Sequence, residues 1–314
     1  MMRLKDIGEF GLIKRFQRRI KTDSSVVKGS GDDCAVLKFD KLNYQLFTCD
    51  MIIEGVDFRK TDNLELVGRK ALAISISDIA ACGGVPKYAV VALGMPKHML
   101  VKEIDCLTKG LFGLSREYRI NIVGGDISRS TKLLIDVSML GVVEKKNLCL
   151  RSGAKVGDII MVTGAFGGLI SQGKHLKFTP RLKEARYLVN HFKINSMIDV
   201  SDGLSQDLGH ILEQSSVGAV LYEKLIPSPG LIGEAGARFC AVSKGAGLVN
   251  DVLCSGEEFE LLFTVSRDQA KKIIKNKRYR FSIIGEIMPK AFGLRLVNRK
   301  FEYAPVKTKG FRHF

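Results

Sequence analysis

Short apolar runs alternate with longer segments of helical period along this chain, and that alternation constrains its fold more than any other feature. Tyr44 to Asp50 predicts a strand that ends on an acid. Leu64, Val67, Ala71 and Ile74 then recur at helical spacing, and the segment Leu64 to Cys82 stops at Gly83-Gly84 ahead of Pro86. Tyr88 to Met95 is strand-like, while Leu100, Ile104, Leu107, Leu111, Leu114 and Tyr118 mark one face of a second long helix. Ile120 to Val123 and Leu133 to Val143 supply further strands. The pattern restarts after a polar, glycine-containing stretch at Arg151 to Gly157. It gives strands at Asp158 to Thr163, Ser196 to Val200, Glu260 to Val265, Phe281 to Ile287 and Phe292 to Val297. Helices are predicted at Arg181 to His191, from near Gly203, and at Asp268 to Lys277. The fold class is α/β (α+β), with a boundary that divides the chain into 1–147 and 148–314.

Composition removes several classes of function. The seven cysteines form no C-x-x-C pair and the five histidines no H-x-x-x-H set, so a zinc site is not expected and the thiols read as small apolar residues. The first sixteen residues are interrupted by Arg3, Lys5, Asp6, Glu9 and Lys14, and no uncharged apolar run reaches about 18 residues. A cytoplasmic protein without a membrane span is the expectation. The net charge of +16 is concentrated after residue 266, where 14 Lys and Arg stand against 3 Asp and Glu. No RNA-binding aromatic signature accompanies them, so nucleic acid is not the expected partner and a solvated basic surface is.

The acids are the informative residues. Asp32-Asp33 follow Gly29-Ser-Gly31, Asp50 ends a strand, Asp78 sits in an apolar helix, Asp126 follows Gly124-Gly125, and Asp199 and Asp202 bracket Val200-Ser201. A turn or helix cap explains any one of them. Asp78 is harder to explain that way, because an unpaired carboxylate inside an apolar helix is costly to bury. Repetition of the pattern points to magnesium, which takes hard oxygen ligands and leaves room for phosphate oxygens. Neighbouring glycines let backbone N–H groups approach a phosphate. The chain has no P-loop, no H-R-D kinase loop and no G-x-S-x-G elbow.

Taken in order, the segments resemble the thiamine-monophosphate kinases of the aminoimidazole-ribonucleotide-synthetase-like superfamily across nearly the whole chain. The motifs are Glu9 to Ile13, Gly31 to Ala35, Asp50 with Glu54 to Phe58, Gly68 to Leu72, Ser77 to Ala81, Gly124 to Ser128, Arg151 to Lys155, Asp199 to Leu204, Ser255 to Phe263 and Gly310 to Phe314. The resemblance implies direct, magnesium-assisted phosphorylation of thiamine monophosphate by ATP. It implies a homodimer in which the N-terminal sheets pair into a barrel, an N-terminal domain that binds ATP and metal, and a C-terminal α/β domain. Asp33, Thr48, Cys49, Asp50, Asp78, Asp126, Asp199 and Asp202 would serve the metal. Gly125, Asp126, Arg151 and Ser201 would meet ATP, with Asp50, Asp126 and Arg151 central to catalysis. Asp57, Glu258 and Phe311 would lie at the thiamine portion.

Departures from the family pattern are local. Asp57 replaces the usual His, Cys49 a Thr, Ser255 a Gly, Glu258 an Asp, Phe259 a Tyr and Phe311 a Trp. The attacking phosphate oxygen is already anionic at neutral pH, so positioning and charge neutralisation suffice without a strong general base. Another superfamily synthetase is the enzymatic alternative, although no Cys precedes Cys34 as a selenophosphate synthetase requires. A non-catalytic binder of thiamine phosphate or nucleic acid is the alternative of a different class.

Overall fold

The computed structural model describes residues 3–167, 173–228 and 252–308. Two mixed sheets build a two-domain α/β fold. The first half runs α1 (Leu4–Gln17), β1 (Val26–Lys28), β2 (Ala35–Lys38), β3 (Asn43–Ile53), α2 (Leu64–Ala81), β4 (Val85–Met95), α3 (Val101–Tyr118), β5 (Asn121–Arg129) and β6 (Leu134–Glu144). Its sheet has the order β1-β2-β3-β6-β4-β5, antiparallel except for the β4–β5 pair. The second half runs β7 (Ile159–Val162), α4 (Leu182–His191), β8 (Ser196–Asp199), α5 (Leu204–Ser215), β9 (Gly218–Tyr222), β10 (Leu261–Val265), α6 (Arg267–Lys275), β11 (Ser282–Met288), β12 (Leu294–Val297) and β13 (Tyr303–Pro305). These strands order as β13-β12-β9-β11-β7-β10-β8.

Helix α2 is the centre of the molecule. Asn63 caps it, accepting from the backbone N–H groups of Glu65 and Leu66, and thirteen of its eighteen residues are buried. Val67, Ala71, Leu72 and Ile76 pack on the first sheet with Leu46, Ile52, Ile135 and Val137. Ala80 and Ala81, at its far end, belong to a core that includes Leu188, Met197 and Phe263 of the second half. Helix α3 crosses α2 at backbone contact. A Cβ at Gly68 would stand 1.9 Å from the Leu107 carbonyl oxygen, and one at Gly110 would stand 1.7 Å from that of Glu65. Only glycines permit so close a crossing.

Two expectations about the acids change. Asp50 does not end its strand, because β3 continues to pair with β6 as far as Ile53 opposite Leu134. Gly124-Gly125-Asp126 is no turn either: it lies inside β5, where Gly125 faces Val91 of β4. A Cβ there would fall 1.8 Å from the Val91 carbonyl oxygen, so the glycine serves strand approach in this chain. The short strands β1, β2, β9 and β13 and the kinked helix α1 carried too little periodic pattern to be predicted.

Candidate active site

One chain gathers some of the expected acids and leaves others apart. Asp33 lies in the loop before β2, Asp78 on α2 and Asp199 at the end of β8, and their carboxylate oxygens come within 4.8 Å of one another. Asp50 faces them from β3, its Oδ2 accepting from the Ser75 hydroxyl at 2.7 Å. The Thr48 hydroxyl donates to Asp78, and the Ser77 hydroxyl donates to Asp199 at 2.6 Å. Arg151 grips Asp33 through Nε at 3.1 Å and Nη2 at 2.6 Å, while its backbone N–H donates to Asp32 at 3.1 Å. The guanidinium thus holds the acidic loop.

Burial and mutual repulsion raise the acids' proton affinity. Asp50 is pushed up to about 6 and Asp199 to about 7, chiefly by burial and then by neighbouring carboxylates. Burial, with Asp50 and Asp199 beside it, lifts Asp78 well above the carboxylate range. Asp33 also rises through burial, against the pull of Arg151. Its Oδ2 is buried without a hydrogen-bond partner. Crowded hard oxygen donors and an orphaned carboxylate oxygen fit a magnesium site and would repel one another without a cation.

A second group joins Asp202, Asp207 and His210, again within 4.8 Å. Asp207 accepts from the backbone N–H groups of Asp202 at 3.1 Å and Gly203 at 3.0 Å, which fixes the start of α5. Burial pushes His210 down to about 4. Asp207 and His210 went unpredicted because they sit about one and two helical turns inside α5, at spacings that an amphipathic helix also produces.

Asp50, Ser201 and Asp202 share a cavity of about 680 Å³ that is also lined by Gly55 to Arg59, Lys70 and Cys254 to Glu257. Asp57 reaches it, but its carboxylate accepts from the Ile53 backbone N–H at 2.8 Å and so closes a turn. Glu258 accepts from the Gly167 N–H at 2.6 Å and from the Ser255 hydroxyl at 3.0 Å, bracing the cavity's wall. Phe311 lies outside the described residues. Cys49 projects to the opposite face of the sheet, where its thiol meets Asp136 at 3.4 Å.

Asp126 also stands apart. The row across the sheet runs Met51, Asp136, Ala92, Asp126, whereas Asp50 shares its row with Val137, Val91 and Gly125. Three strand spacings therefore separate Asp126 from Asp50, about 14 Å, and the two acids point to opposite faces. A separate apolar groove of about 490 Å³ runs between β4, β5 and α3, lined by Leu93, Leu107, Leu111, Phe112 and Ile122, with Gly125 and Asp126 at its rim.

Comparison with known proteins agrees with this architecture. The AIR synthase related protein, N-terminal domain, matches residues 31–143, and the corresponding C-terminal domain matches residues 155–296. The thiamine-monophosphate kinase of Buchnera aphidicola subsp. Schizaphis graminum is 34% identical over 333 residues, covering 98% of this chain and 99% of its own. That of Bacillus subtilis is 30% identical, covering 98% and 100%. The solved structure of AaThiL complexed with AMPPCP and TMP superposes with a TM-score of 0.82 at 27% identity, covering 100% of this chain and 99% of that one. A hydrogenase maturation protein HypE in complex with ATP, at 15% identity and a TM-score of 0.67, shares the fold.

Proposed function

This chain belongs to the thiamine-monophosphate kinase family of AIR synthase related proteins, and we propose that it transfers the γ-phosphoryl group of ATP to the phosphate of thiamine monophosphate. The observation that carries the reading is the convergence of Asp33, Asp50 and Asp78 from the first sheet's domain with Asp199 from the second, beside the large cavity. These acids would hold magnesium, which supplies charge neutralisation between the two polyanions. Ser75 and Ser77 aim the carboxylates of Asp50 and Asp199, and Arg151 fixes Asp33. An acceptor phosphate oxygen attacks the γ-phosphorus in line, the bond to the bridging oxygen breaks, and ADP leaves. The protein's work is to orient and to exclude water, with no proton to remove from an ionised phosphate.

The acceptor belongs in the 680 Å³ cavity, which Ser201 and Asp202 line on the side of the second domain. The adenine of ATP suits the apolar groove beside Gly125 and Asp126. A homodimer gives Asp126, which points to the other face of the sheet, a use. Phe47, Met51, Tyr88 and Val90 are 42–49% exposed on one face of the first sheet, opposite the face that α2 covers. Two such faces packed together would make the barrel and bury this apolar surface. Asp126 lies on that exposed face, where a second copy can use it. The division at 147/148 and a cytoplasmic location, where ATP is supplied, belong to the same reading.

ADP release measured with thiamine monophosphate, with thiamine and without acceptor tests this function. Release stimulated by the monophosphate alone is expected. Equal release under all three conditions would overturn the assignment.

A further inference from the structure

Helix α2 carries a second buried charge, two turns before Asp78, that neither the metal group nor the phosphate chemistry uses. Lys70 is 1% exposed. Its ammonium donates to the Asp57 carbonyl oxygen at 2.8 Å and to Glu257 Oε1 at 2.5 Å. An ammonium buried to this degree is costly unless it is paired and hydrogen-bonded, and these two partners meet that need. They come from different segments of the lining of the large cavity, which Lys70 itself lines: Asp57 from the turn after β3 in the first domain, and Glu257 from the loop before β10 in the second.

The second wall needs holding. Glu257 and Phe259 both adopt left-handed backbone conformations, with φ of 63° and 51°, which side chains with a Cβ adopt only where the surroundings impose them. The Glu257 N–H donates to the Ser201 carbonyl oxygen at 2.6 Å, and the Phe259 N–H to that of Val200 at 2.8 Å. Gly256 lies so close to Ser201 that a Cβ would stand 2.9 Å from its carbonyl oxygen. The loop is therefore clamped to the Ser201-Asp202 segment from below and to α2 through Glu257 from the side.

We propose that Lys70 is a positioning residue for the acceptor: it joins the Asp57 turn to the Glu257 loop across the two domains and sets the width of the cavity between them. The inference rests on the phosphoryl-transfer reading above. It makes α2 a single rigid element that fixes both the acid cluster, through Asp78, and the acceptor pocket, through Lys70. It also gives Asp57 a use in which the backbone carbonyl matters and the side chain merely closes its own turn.

The test compares Lys70→Met, Glu257→Met and the double variant with the wild-type chain, measuring KM for each substrate, kcat and thermal midpoint. Lys70→Met is expected to lose stability, because it leaves the half-buried Glu257 without its cation, and to raise KM for thiamine monophosphate at least tenfold with KM for ATP within twofold. The double variant removes both charges, so its midpoint should recover while the acceptor KM stays high. A merely structural pair would recover both together. A double variant with wild-type acceptor KM, or KM values for both substrates rising in parallel, overturns the proposal. Lys70→Gln, which keeps an N–H donor for the Asp57 carbonyl, gives the same comparison if the methionine variants do not fold. A wild-type chain that turns over no thiamine monophosphate overturns the functional reading and this inference with it. Active wild type with unchanged variants overturns the inference alone.

Discussion

The Ser77 hydroxyl on α2 donates to Asp199 at the end of β8 at 2.6 Å, with both residues buried. This bond ties an acid of the second domain to the helix that carries Asp78, so the cluster's geometry is a property of how the two domains dock.

Asp199→Asn separates the acid's chemical role from its structural cost. Turnover should fall at least about 100-fold, as when one transition-state-stabilising group is removed. The metal-free protein should melt about 2 °C or more higher at pH 8, since a buried like charge has gone. Steady-state rates and thermal melts in chelator check both halves.

Two inactive variants should repair one another if the chain forms the proposed homodimer and Asp126 acts across it. Asp50→Asn and Asp126→Asn are each expected to be nearly inactive. Mixed after dissociation and reassembly, they should regain up to about a quarter of wild-type activity, because a mixed dimer holds one intact site. Activity in either variant alone would remove that acid from the chemistry, and no recovery on mixing would place Asp126 outside a shared site.

The acids also predict an inverted pH response. Asp50 at about 6 and Asp199 at about 7 lie above their unfolded values, so between about pH 4 and 7 these two acids hold more protons in the folded chain than in the unfolded one. Their contribution to metal-free stability is therefore present at low pH and declines as pH rises through 7. Magnesium competes with those protons, so it should stabilise the protein most above pH 7 and little at pH 5.5. Melting midpoints with and without magnesium across this range decide the point.

Gly68→Ala and Gly110→Ala should each destabilise the fold by about 3 kcal/mol, because the crossing helices must move apart. Both lie away from the acid cluster. Denaturant unfolding should show a lower midpoint in each, and turnover in the surviving folded fraction should fall less than it does in Asp199→Asn.

Much of this arrangement was legible in the sequence. The period of α2 and the strands β3, β4 and β6 follow from apolar spacing, and the stop of α2 from the Gly83-Gly84 pair. Asp78 stood out as a charge in an apolar helix, and the same signal was present at Lys70, four residues after Leu66 and four before Ile74. Its partner could not be read, because Glu257 is 187 residues distant and meets it only through domain docking. Gly124-Gly125 looked like a turn because two adjacent glycines weaken a strand pattern, yet the nearness of the Val91 carbonyl is what demands Gly125. Nor can spacing reveal that Asp50 and Asp126 point to opposite faces, since that depends on register across four strands.

The division of the acids between domains sets an order in time as well as in space. A ribosome delivers Asp33, Asp50 and Asp78 well before Asp199, and domains fold as units in the order of their synthesis. Until β8 has been made and laid against α2, the growing chain carries three acids of the cluster without the fourth and a Ser77 without Asp199, and Glu257, the carboxylate that meets Lys70, is made later still. The four-acid cluster is thus completed only late in synthesis, when the second domain has docked against α2.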